Sequence, residues 1–101
     1  MKIVTFCNVD NSLIDSKHTV EHFQSGETSG ADVAILDINS IFDFEENKHD
    51  ACSEKFATIA IIEDDSDYDA FKNFGIDAWI KSADLADINE LLNLIEKRFL
   101  S

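Results

Sequence analysis

The chain has 101 residues, 45% of them apolar, including eight Phe, one Tyr and one Trp. That is the length of one compact domain with enough apolar material for a core, which excludes a two-domain or a disordered reading. Twenty-one acidic against eight basic residues leave a formal charge of −13, a field that repels phosphate backbones and anionic lipid and so argues against nucleic-acid and membrane partners.

In chain order, the first apolar run is Ile3 to Cys7, rich in β-branched residues and read as a strand. It is too short for a secretory signal or a membrane span. Cys7 and Cys52 form neither a metal spacing nor a disulfide framework, so a reducing, cytoplasmic setting is expected. The segment Ser12 to Gln24 is ambiguous. Ser12 and Asp15 cap a helix carrying Leu13, Val20 and Phe23, or Thr19 to Phe23 forms a thin edge strand; the helix is preferred. Ala31 to Leu36 is the next strand, and Phe44 to Phe56 is read as a helix with Cys52 and Phe56 four apart.

Thr58 to Ile62 is a third strand, followed by a short helix from Ser66 to Phe74 with Ser66 as its N-cap and Gly75 as its stop. Ile76 to Lys81 is the last strand. The C-terminal helix is the plainest element: Leu85, Ile88, Leu92, Ile95 and Phe99 recur at helical spacing, and Asp87 with Glu90 makes a capping-box-like start. Strands apolar on both faces belong to parallel sheets covered on both sides. The expectation is therefore one three-layer α/β/α domain over residues 1–101, with roughly four parallel strands.

Ligands and catalytic groups of such sheets gather outside the carboxyl ends of the strands. The residues there are Cys7, Asn8 and Asp10; Asp37 and Asn39; Glu63, Asp64 and Asp65; and Lys81. The run Ala31-Asp32-Val33-Ala34-Ile35-Leu36-Asp37-Ile38-Asn39 is similar to the third strand of response-regulator receiver domains, which ends in the aspartate that accepts phosphate. Thr58 to Leu100 resembles the last half of that family: strand, acidic loop, short helix ending in Gly75, strand ending in Lys81, and terminal amphipathic helix. The resemblance implies a flavodoxin-like, receiver-like fold and a role in two-component signal transduction. It implies Asp37 as phosphoacceptor, Lys81 as counter-charge to the transferred group, and Mg²⁺ held by carboxylates, for which Asp10 and Asp37 are the available ligands.

The departures mark an atypical or pseudo-receiver. Cys7 and Asn8 stand where receivers carry two adjacent acids, and Ile62 stands at the position of the switch hydroxyl. Ser82 replaces the proline after the lysine, and Ser40-Ile41 replaces a Met-Pro pair. Asp10 and Asp37 are 27 positions apart, too close for the helix, strand and helix of a full receiver, so the edge strand beside the first is expected to be lost. What the family resemblance implies for binding is a regulatory or kinase-like protein partner, or a homodimer, through the last strand and last two helices. Basic surfaces suit so acidic a chain.

Other residue patterns point to different chemistry. His18-Thr19-Val20-Glu21-His22 spells the inverted zinc-protease motif, but the domain is too small for that architecture, and two surface histidines are expected. Cys7, ending the first strand, resembles the phosphocysteine of sugar-phosphotransferase IIB components, and a phosphocarrier is the alternative function. A third class, an acidic mimic of nucleic acid, predicts binding to a basic protein that added salt abolishes. The run Glu63-Asp64-Asp65-Ser66-Asp67 with Asp69 lacks the spacing of a calcium loop and reads as a solvated helix start. Trp79 reads as core or edge packing.

Overall fold

The computed structural model describes residues 1–24 and 30–99. Leu100, the end of the stretch matched above, lies outside them. Five strands, β1 (Lys2–Thr5), β2 (Thr19–His22), β3 (Ala31–Asp37), β4 (Cys52–Ile62) and β5 (Ala78–Lys81), form one sheet in the order β2-β1-β3-β4-β5. Every neighbouring pair is parallel. Three α-helices accompany them among the described residues: α1 (Ile41–Ala51), α2 (Asp65–Phe71) and α3 (Ile88–Phe99). This is a flavodoxin-like α/β architecture, and the expected fold class holds.

Strand alternation divides the core in two. Val33 and Ile35 of β3, with Ile59 and Ile61 of β4, pack on Ile88, Leu92 and Ile95 of α3. Their neighbours Ala34, Leu36, Ala60 and Ile62 point the other way, onto Ile41 and Phe44 of α1 and Phe71 of α2. The central strands are apolar on both faces because both faces are covered. Fully burying each Leu or Ile contributes about 1.5–3 kcal/mol, and this double coverage is what holds the sheet together.

Three expectations change. Thr19–His22 is a strand, not part of a helix over Ser12 to Gln24, so the sheet has five strands rather than about four and keeps the edge strand beside β1. What is shortened is the connection: between β1 and β2 only a 3-10 turn, Asn11–Leu13, replaces a helix. Thr19 and Val20 are β-branched, and pairing with β1 extends through Thr19 N–H to Met1 O at 3.0 Å and Phe23 N–H to Thr5 O at 2.9 Å. Phe23 then stacks on Phe6 at 4.8 Å, sealing that edge.

The second change concerns Phe44 to Phe56. The helix begins earlier, at Ile41, and stops at Ala51, after which the chain turns directly into β4 at Cys52. The Cys52–Phe56 end is claimed by β3, where Ala31 pairs Cys52 and the Ser53 hydroxyl donates to Ala31 O at 3.3 Å. The third is the cap of α2, which is Asp64 rather than Ser66: its carboxylate accepts from Ser66 N–H at 2.8 Å and from the Ser66 hydroxyl. Gly75 does end the next turn, at φ 66°.

Candidate functional site

The carboxyl rim is where this sheet would place chemistry, above all at the switch point between β1 and β3. Asp37, the last residue of β3, is half-buried there. Its Oδ1 accepts from Asn39 N–H at 3.1 Å, Ser40 N–H at 3.0 Å and the Ser40 hydroxyl at 2.9 Å. In return the Ser40 oxygen accepts from Asp37 N–H at 2.9 Å. The Asp-x-x-Ser spacing thus closes the turn into α1, with Ser40 buried beneath it. Ser40 is the rim residue that the sequence reading missed as a partner, and the spacing itself was the available signal.

Cys7 lies beside this turn, 8% exposed, in the α3-side core. Burial first, and the Asp37 carboxylate second, push its thiol up to about 12. It is a protonated, weakly nucleophilic sulfur at neutral pH. Asp10 is fully exposed and closes its own turn, accepting from Ser12 N–H at 2.9 Å and the Ser12 hydroxyl at 2.7 Å. Those two bonds, the hydroxyl's foremost, hold its carboxyl below the usual range.

Lys81 reaches the same rim but does not meet Asp37. Register levels Asp37 with Ile61 and Ile61 with Ile80, so Lys81 is one residue further along β5. Asp37 follows Val33 and Ile35 toward the α3 side, whereas Lys81 follows Trp79 toward the α1 and α2 side. Two strand spacings, about 9–10 Å, also separate their backbones. The Lys81 ammonium sits instead 3.7 Å from Asp65, at the start of α2, with both groups largely in water. The expected acid–amine pair is not formed.

The carboxylates do not converge on a cation either. Among the described residues no three His, Cys, Asp or Glu side chains group as a metal site requires. Oδ1 of Asp10 is engaged by Ser12 and Oδ1 of Asp37 by Asn39 and Ser40, a poor fit to Mg²⁺, which demands near-ideal oxygen geometry. His18 lies just before β2 and His22 is its last residue, so neither is on a helix. His22 Nδ1 is 3.2 Å from the Thr5 hydroxyl, and His18, expected at the surface, is buried with Nδ1 3.2 Å from the Met1 nitrogen. Trp79 is packed edge-on against buried Phe71 and lies 4.4 Å from the Tyr68 ring.

Comparison of the chain with protein-family models, with curated proteins and with solved structures gives no match. None of the described helices is long and apolar enough to cross a membrane.

Proposed function

We propose that the chain is a receiver-like regulatory module of a signalling system that acts by binding another protein, without phosphoryl transfer at Asp37. The observation that carries this reading is apolar surface left in water on the last two helices. Tyr68 of α2 is 46% exposed beside Trp79, and Leu94 of α3 is 49% exposed. α2 and α3 lie on opposite faces of the sheet, and β5 is its outer strand. Against this, one carboxylate oxygen of each of three rim aspartates closes its own loop: Asp37 onto Ser40, Asp10 onto Ser12, Asp64 onto Ser66.

The phosphocarrier alternative needs a Cys7 thiolate, and a thiol pushed up to about 12 disfavours it. Two free, buried cysteines support a reducing, cytoplasmic setting. Incubation with acetyl phosphate and Mg²⁺, followed by intact mass measurement, tests the reading. No phosphoryl adduct is expected. An adduct that Asp37→Asn removes would install the phosphoacceptor reading, and one that Cys7→Ser removes the phosphocarrier. Sedimentation is expected to give a monomer; a dimer dissolved by Leu94→Glu would make the outer face of α3 a self-contact.

A further inference from the structure

We infer that the cavity between the carboxyl ends of β1 and β2 and the adjoining side of α1 binds a small alkylammonium ion. Its volume is about 340 Å³, within the range of small-molecule sites. It is lined by Phe6 and Phe23, just past the ends of β1 and β2, by His22, the last residue of β2, and by Asp43, Glu46 and Asn47 of α1. One wall is aromatic and the other acidic. The Phe6 and Phe23 rings stack at 4.8 Å, and Phe6 also meets buried Phe44 edge-on at 5.5 Å, so the aromatic wall is fixed before any ligand arrives. Asp43 and Glu46, three apart, are neighbours on the helix surface and repel each other. The Asn47 amide donates to Asp43 O at 2.8 Å, which leaves its Oδ1 as a further acceptor.

The chain brings no cation of its own to this acidic wall. No Lys or Arg is among the lining residues, and neither Asp43 nor Glu46 is ion-paired among the described residues. Lys48, the lysine of α1, is paired with Glu45 at 3.1 Å. Residues 25–29, which follow Gln24 in sequence, are Ser, Gly, Glu, Thr and Ser and carry no positive charge. An ammonium group would meet the carboxylates through charge-assisted hydrogen bonds, while its charge and its alkyl stem both suit the aromatic rings. An anion would be repelled by the same pair, and a neutral ligand would leave their mutual repulsion in place. A lysine side chain of another protein carries the same group as a free alkylammonium ion, and the test separates the two.

The full chain, isotope-labelled, is titrated with n-butylammonium, with 1-butanol as its neutral counterpart, with butyrate, and with a Gly-Lys-Gly peptide blocked at both ends. Butylammonium is expected to move amide signals at the lining residues, to bind more weakly as salt is raised and to raise the melting temperature. Asp43→Asn combined with Glu46→Gln, both at exposed positions, should weaken it at least about tenfold, and Phe23→Leu about threefold. Asp84→Asn combined with Glu90→Gln, the same change of charge at exposed positions elsewhere, should alter it by less than about twofold. Circular dichroism reports that the variants remain folded. The proposal is overturned by equal binding of butanol or butyrate, by signal changes spread over every acidic surface, or by an effect of the Asp84 and Glu90 changes as large as that at Asp43 and Glu46. It is also overturned by Gly-Lys-Gly binding at least about tenfold more tightly than butylammonium, which would make the cavity a contact for a partner's lysine.

Discussion

Removing the Asp37 carboxylate leaves the Asn39 N–H without its acceptor and leaves the Ser40 N–H and hydroxyl only the Asp37 main-chain carbonyl, 3.2 Å from each. Asp37→Ala is therefore expected to lose about 1–2 kcal/mol in urea unfolding, and Asp37→Asn, which keeps an oxygen acceptor, less. A catalytic carboxylate held under strain behaves oppositely, its removal leaving stability unchanged or raised; that result would refute the loop-closing role. The thiols give a pH signature. Cys7 is pushed up to about 12 and Cys52 to about 11, chiefly by burial, from an ordinary 9.0. The unfolded chain thus releases protons that the folded chain keeps. Stability is fully present below pH 9 and falls as pH rises toward 12. Urea midpoints across that window should decline, and Cys7→Ala with Cys52→Ala should flatten the decline.

His18 works in the opposite sense at the acid end. Burial first, then the Met1 amine and Lys17, hold its imidazole below 6.5, so the unfolded chain takes up a proton that the folded one resists. This contribution is present above pH 6.5 and is lost on acidification. Such single-residue effects were only partly legible in the sequence. That Asp37 ends a strand could be read from the apolar run before it, but that its oxygen closes onto Ser40 depends on the turn the chain takes next.

The connection between β1 and β2 has no helix of its own and is held by α3 instead. Asn89 accepts from Asp15 N–H at 2.8 Å and donates to Leu13 O at 2.9 Å, and Lys17 donates to Asn93 at 3.2 Å. Asn89→Ala should therefore loosen residues far from it in sequence, with a loss of about 1–2 kcal/mol and faster amide exchange over residues 12–18. Exchange that quickens only within α3 would count against this tie. At Gly75 the left-handed φ of 66° meets open space, with nothing within 4 Å of an added Cβ. Gly75→Ala is expected to lose about 1 kcal/mol through backbone strain alone, and Gly75→Asn less. Thermal melts of the two variants separate strain from crowding.

Across the whole molecule, a charge of −13 on 101 residues sets carboxylates against one another over most of the surface. Screening should relieve this, so the melting temperature is expected to rise between low ionic strength and about 0.5 M NaCl, where the Debye length is only a few ångströms. A melting temperature that falls with salt would mean that ion pairs such as Lys2–Glu21 and Lys81–Asp65 outweigh the repulsion, which their exposure argues against.

By itself the amino-acid sequence determined the parallel α/β class, the acidity, the β1, β3 and β5 segments, the Thr58–Ile62 half of β4 and the apolar stripe of α3. Each of these is written in local periodicity or composition, which no distant contact has to complete. Only the tertiary structure decided that Thr19–His22 joins the sheet, that the α1 helix yields to β4 at Cys52, and that Asp37 and Lys81 leave the sheet on opposite faces. Those outcomes depend on which strands pair and in which register, and an offset of a single residue moves a side chain to the other face.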